Sequence, residues 1–273
     1  MRREQSEAGL SGAEQRDAAR RSAPRAVVVF EAIRHEAEDE LKRRNAALFW
    51  SGLAAGLSMG FSLIAEALLQ AALPDAPWRP LISKLGYSVG FLIVILGRQQ
   101  LFTENTLTPV IHVLRVGRLE VLWNMLRLWS VVLGANFLGT LIFGVGIYHV
   151  DLFDPGQTAA LAAVALHATG PEFSEVFVGA LFAGWLIALM VWLLPAAETA
   201  RVGVIIIITY LIGVAGFPHI IAGSTQVFYS LAADAISLRA AVVDFFVPVL
   251  SGNIIGGVAL VAALNYAQVS PDE

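Results

Sequence analysis

Titratable and hydroxyl side chains stand inside two short irregular stretches, each in the middle of an apolar span. The first reads Gly97-Arg98-Gln99-Gln100-Leu101-Phe102-Thr103-Glu104-Asn105-Thr106, the second Gly216-Phe217-Pro218-His219-Ile220-Ile221-Ala222-Gly223-Ser224-Thr225. A titratable group at the middle of a bilayer is costly to place and marks function. In a dry constriction His219 favours its neutral form. Neutral imidazole lets a weak-acid anion approach and can share a proton with it, so that the species crossing the narrows is uncharged. A structural histidine tied to Thr103 by a hydrogen bond is the other reading, and both can hold together. Thr103 offers a hydroxyl to an anion or to His219. Leu101 and Phe102 are candidates for an apolar ring that gates by dewetting; Tyr87 and Phe91, one turn apart, either line the outer side or pack. Arg98 lies 14 residues beyond Lys84, some 20 Å deep at about 1.5 Å per residue. At that depth it is a fixed charge that draws anions inward, the partner of Glu104, or a donor to carbonyls left free by the break. Glu104 and Asn105 suit the start of a second half-helix. His112, His149 and His167 have no ligand-like spacing, so no metal site and no cofactor is expected. No nucleophile–base constellation appears either, which argues against an enzyme.

These stretches need helices that stop and restart inside a membrane. Lipid offers backbone N–H and C=O groups no partner, so irregular backbone survives there only inside protein or beside water. A full helical crossing needs about 20 apolar residues. Residues 46–73, 120–150, 176–197 and 244–268 qualify, whereas 85–97 and 202–216 reach that length only by continuing through their breaks. The sequence therefore predicts an all-α membrane protein with six crossings, the second and fifth broken. Long–broken–long occurs twice, over about 46–150 and 176–268. Three crossings per copy is an odd number, which gives the copies opposite topology, with a solute path at the midplane.

Composition agrees: of 273 residues, 57% are hydrophobic and 15% charged, with a mean hydropathy of +0.69. Soluble domains carry about 25% charged residues. There is no cysteine, and ten of the 18 Lys and Arg fall in residues 1–45. With the N-terminus cytoplasmic, 13 basic residues lie inside and three (Arg79, Lys84, Arg239) outside, which places both termini, including 270–273, in the cytoplasm. Residues 1–25 read as a disordered polar tail. Residues 26–45 read as an amphipathic cytoplasmic helix with Val27, Phe30, Ile33, Ala37 and Leu41 on one stripe. Residues 46–269 form the pore domain.

Leu101-Phe102-Thr103, Pro218-His219 and Gly252-Asn253-Ile254-Ile255-Gly256-Gly257, together with Asn136 and Gly139, resemble the formate/nitrite transporter family over roughly residues 27–268. The resemblance implies an aquaporin-like six-helix bundle in the bacterial inner membrane, assembled as a homopentamer with one pore per subunit. It implies small monovalent anions such as formate, nitrite or hydrosulfide as substrates, with a proton moved alongside in some members, and no nucleic-acid partner. The chain departs from better-known members at Gly184, where an asparagine neighbouring the histidine is expected, and at Ala168, where a vestibule lysine is expected. Gln100 replaces an acidic residue, and Arg98 and Glu104 are additions. A neutral-solute pore of the aquaporin kind and a non-conducting scaffold or sensor are the alternatives; neither break contains Asn-Pro-Ala.

Overall fold

The computed structural model describes residues 24–168 and 172–269, with Ser11 and Glu14, and every regular element among them is helical. Almost all of the expected polar tail, and residues 270–273, lie outside the described residues. Helix α1 (Ala26–Lys42) buries Val29, Phe30, Ile33, Ala37 and Leu41, a spacing of three and four that makes one apolar stripe. Val27, placed on that stripe by spacing alone, is only half-buried; Val29 fills the position. The C-terminal end of α1 is pinned by Arg127, whose guanidinium donates to the carbonyls of Leu41 (2.7 Å) and Arg43 (3.2 Å).

The chain continues through α2 (Asn45–Ala72), α3 (Arg79–Leu96), α4 (Thr108–Val116), α5 (Leu119–His149), α6 (Pro155–Leu166), α7 (Phe173–Ala197), α8 (Arg201–Ala215), α9 (Ile220–Ala232) and α10 (Ala240–Gln268). Helix α6 occupies part of what the sequence leaves as a loop. It begins with a capping box: Gln157 N–H donates to the Asp154 carboxylate, and Asp154 N–H to the Gln157 side chain, satisfying two helix-start donors at once. Among the described residues, five stretches are long and apolar enough to cross a membrane. One of them, Phe173–Ala215, has 43 residues. As a straight rod it would measure about 65 Å, against about 30 Å of hydrocarbon. It turns instead at Glu198, where φ is 38°, and α8 packs back along α7.

Helix α1 lies across one end of the bundle, against α4, α7 and the end of α10; this end is called proximal and the other distal. The two closest helix pairs are α2 with α5 and α7 with α10, and they are built alike. A Cβ on Gly56 would sit 2.3 Å from the Asn136 carbonyl, and one on Gly184 would sit 2.2 Å from the Asn253 carbonyl. Only glycine admits backbone that near, a packing mode favoured where no hydrophobic force drives helices together. Gly184, expected from the resemblance at the position of a histidine neighbour, is thus a helix–helix contact. Across the centre, the hydroxyls of Thr209 of α8 and Ser88 of α3 are hydrogen-bonded at 2.8 Å, with the Thr209 proton directed to the Ile205 carbonyl at 2.7 Å.

Gly184→Val should separate α7 from α10 and cost at least about 1–3 kcal/mol. The expected result is a melting temperature several degrees lower in detergent, or no recoverable protein; an unchanged melting curve would show that the pair yields easily.

Candidate functional site

Each break is spliced by one asparagine. Asn136 of α5 donates through Nδ2 to the carbonyls of Gly52 (2.7 Å) and Gln100 (2.9 Å), and its Oδ1 accepts from Phe102 N–H (2.9 Å). Asn253 of α10 donates to the carbonyls of Ala180 (2.7 Å) and Pro218 (3.1 Å) and accepts from Ile220 N–H (2.8 Å). Both are fully buried. The amide therefore clamps the peptide groups on either side of one residue. In the first break that residue is Leu101; in the second it is His219. The sequence points to these asparagines only as parts of packing motifs, and their role is to supply the partners that broken backbone needs.

His219 is 1% exposed and caps the start of α9. Its Nδ1 accepts from the backbone N–H of Ala222 at 3.2 Å. A backbone amide can only donate, so Nδ1 carries no proton and the imidazole is neutral with its proton on Nε2. Nε2–H then donates to Thr103 Oγ1 at 2.7 Å. The expected His219–Thr103 contact joins the two breaks, and the Thr103 hydroxyl proton remains available to a third group. Phe91 meets the imidazole edge-on at 5.0 Å between centroids, and Tyr87 follows at 5.4 Å from Phe91.

Two cavities approach this knot from opposite ends. The distal one, about 360 Å³, reaches His219 and is walled by Tyr87, Phe217 and Phe245, with Glu66, Lys84 and His167 among its polar groups. The proximal one, about 150 Å³, reaches Leu101 and is lined by Glu36, Glu40, Arg98, Gln100 and Glu104. Between them Leu101, Phe91, Thr103 and His219 are all buried. Phe102 faces neither cavity: its ring packs edge-on to Trp129 at 5.7 Å. Half-helix α3 runs from the distal cavity toward the proximal one, and α8 runs the other way.

Arg98 differs from expectation. Its backbone has φ 53°, its side chain is 72% exposed, and it pairs with Glu36 of α1 at 2.7 Å rather than with Glu104. Counting rise along one helix places it too deep, because α3 ends at Leu96 and the chain turns toward the mouth. On the same rim Gln100 Nε2 donates to Glu40 Oε1 at 2.7 Å, tying α1 to the first break. Burial pushes the Glu40 carboxyl up from the ordinary range, partly offset by the Gln100 bond. Gln100 Oε1 in turn accepts from Asn105 Nδ2 at 3.0 Å. Sequence reasoning passes over Glu66, although it is the one charged residue in α2, a signal of function in an apolar span.

Several known proteins are similar to this chain. The family described as Formate/nitrite transporter matches residues 27–267. "Inner membrane protein YfdC" of Escherichia coli (strain K12) is 40% identical over 248 residues, 91% of this chain and 80% of that protein. "Formate channel FocA" of Haemophilus influenzae is 28% identical over 240 residues, 77% and 82% of the two chains. Among solved structures, "Pentameric formate channel with formate bound" superposes with a TM-score of 0.67 at 22% identity, over 83% of this chain and 98% of that one.

Asn253→Ala should leave the Pro218 carbonyl and Ile220 N–H without partners, at a cost of about 2–5 kcal/mol for the two. Asn136→Ala should lose a similar amount at Gln100 and Phe102. Thermal unfolding in detergent checks both; if either variant melts with the parent, the clamps are dispensable.

Proposed function

This chain belongs to the formate/nitrite transporter family, and we propose that it carries small monovalent anions of the formate, nitrite or hydrosulfide type across a bacterial inner membrane. The observation that carries this reading is the buried His219–Thr103 hydrogen bond at the meeting of two broken helices, with a cavity on either side. The proposed topology has six crossings in two inverted copies, about 46–150 and 176–268, with both termini cytoplasmic and α1 at the cytoplasmic mouth. The proposed assembly is a homopentamer with one path per subunit, in keeping with the pentameric formate channel that superposes on this chain.

The physics of the barrier supports the substrate class. A hydrated anion loses its water between Leu101 and Phe91 and finds no positive charge there to replace it, which is prohibitive in a dry apolar constriction. The neutral acid pays far less. His219 cannot supply the missing proton without giving up the Ala222 bond, since imidazolium would set one N–H against another. Its task is to orient Thr103: Nε2–H holds Oγ1, and the Thr103 hydroxyl donates to the passing solute. The proton therefore travels on the solute.

Liposomes containing the protein should take up formate well above empty liposomes, faster at an external pH near 5 than near 8, while glycerol uptake stays at background. His219→Asn preserves the helix cap, because an asparagine side chain also accepts from N2 or N3. It should lower formate flux about tenfold, as for one lost buried hydrogen bond, and leave the pH profile unchanged. Loss of the pH dependence would make His219 a proton donor, and glycerol flux without formate flux would make the protein a neutral-solute pore.

A further inference from the structure

A second polar site lies in the wall of the distal cavity, built by helix contact rather than by sequence proximity. Glu66 sits in the apolar helix α2, its side chain 2% exposed. Lys84, on the 3-10 turn Lys84–Tyr87 within α3, reaches it with Nζ 2.5 Å from Oε1. The turn is held against α2: Ser62 donates to the Tyr87 carbonyl at 2.6 Å and accepts from Gly90 N–H at 3.0 Å. A Cβ on Gly86 would fall 2.3 Å from Glu66 N, so glycine lets the backbones close until the ion pair forms. The second carboxylate oxygen, Oε2, is buried and has no hydrogen-bond partner among the described residues. Gln70, Ser83 and Gln226 complete the polar wall.

An ion pair with one orphaned oxygen is half of a binding site. A buried acceptor without a donor is costly, and a proton is the smallest ligand that satisfies it. While Glu66 is ionised, its charge offsets that of Lys84, and an arriving anion meets no net positive charge on this part of the wall. When Oε2 takes a proton, the ammonium is released and becomes the cation of the cavity wall.

We infer that Glu66 and Lys84 form a loading site that takes a small monovalent anion only together with a proton, its ligand being the conjugate pair of a weak monoprotic acid. This rests on the reading of the chain as a carrier of weak-acid anions. A proton from the distal solution adds to Oε2, the Oε1···Nζ contact breaks, and the ammonium, keeping its three protons, donates to the anion. The proton then passes from Glu66 to the anion, the neutral acid leaves toward Phe91 and His219, and the ion pair closes again. One proton and one anion come in, one molecule of acid leaves, and the site is restored. The other titratable groups facing Glu66 across the cavity are Tyr87 of α3 and His167 at the end of α6. Helix α9 contributes Gln226 there, and α5 lines no part of the cavity.

The test is sodium formate binding to the full-length protein in detergent between about pH 5 and 8, alongside formate uptake into liposomes. In the parent, the apparent Kd for formate should rise about tenfold per pH unit, the signature of one proton bound with each anion. Glu66→Gln should bind formate with a Kd that no longer varies with pH and should transport it at least tenfold more slowly. Lys84→Gln should show no saturable binding, and His167→Gln should keep the parental slope. Should Glu66→Gln assemble poorly, the double variant E66Q/K84Q removes both charges and should show neither binding nor slope. A parental slope retained in Glu66→Gln or in the double variant, or a slope lost in His167→Gln, overturns the inference while leaving formate transport intact. A parent that neither binds nor moves formate overturns the transport reading itself.

Discussion

Everything at the centre of this bundle depends on what happens to peptide groups when a helix stops inside a membrane. Each break frees N–H and C=O groups where no water is at hand, and a protein that leaves them bare does not fold. Here the answer is one asparagine per break. Asn136 and Asn253 each use both ends of the amide, donor and acceptor, on the peptide groups either side of a single residue. The glycines that bring α2 to α5 and α7 to α10 serve this end, because the amide reaches its partners only when backbones nearly touch. Helix packing, broken helices and the placement of His219 are parts of one arrangement.

The same arrangement fixes the electrical character of the narrows. The amide of Ala222 faces Nδ1 and keeps His219 neutral by geometry. Charges are kept to the two vestibules: Arg98, Glu36 and Glu40 at the proximal rim, Lys84 and Glu66 at the distal wall. Between them the path offers aromatic edges, a leucine and one hydroxyl. A small polar molecule without net charge suits that passage better than any ion.

Much of this is legible in the sequence, for identifiable reasons. Non-helical residues in the middle of apolar spans are rare enough that both breaks, and the meeting of Thr103 with His219, can be read from residue types alone. The stripe on α1 rests on an equally local signal. What escapes reading is set by contact between distant helices. Leu101 and Phe102 are neighbours, yet one faces a cavity and the other packs on Trp129, a division that depends on how Asn136 turns the chain. Residue counting misplaces Arg98 because a turn replaces the last stretch of helix. Lys84 reads as a surface charge, and its pairing with Glu66 across 18 positions follows from Gly86 and Ser62. Helix α6 is hard to see because its alanine-rich run carries weak periodicity, although Asp154 and Gln157 announce its start.

The asparagine clamps hold main chain and leave the side chain between them alone. The residue in each socket can therefore be exchanged without rebuilding the frame, as the chain itself illustrates: one socket holds leucine and the other histidine, in surroundings that match bond for bond. Two such sockets in one chain can specialise separately, one for orienting a hydroxyl and the other for exclusion, by changing a single codon in each. New selectivities would then arise by substitution at two points, on a scaffold already able to fold.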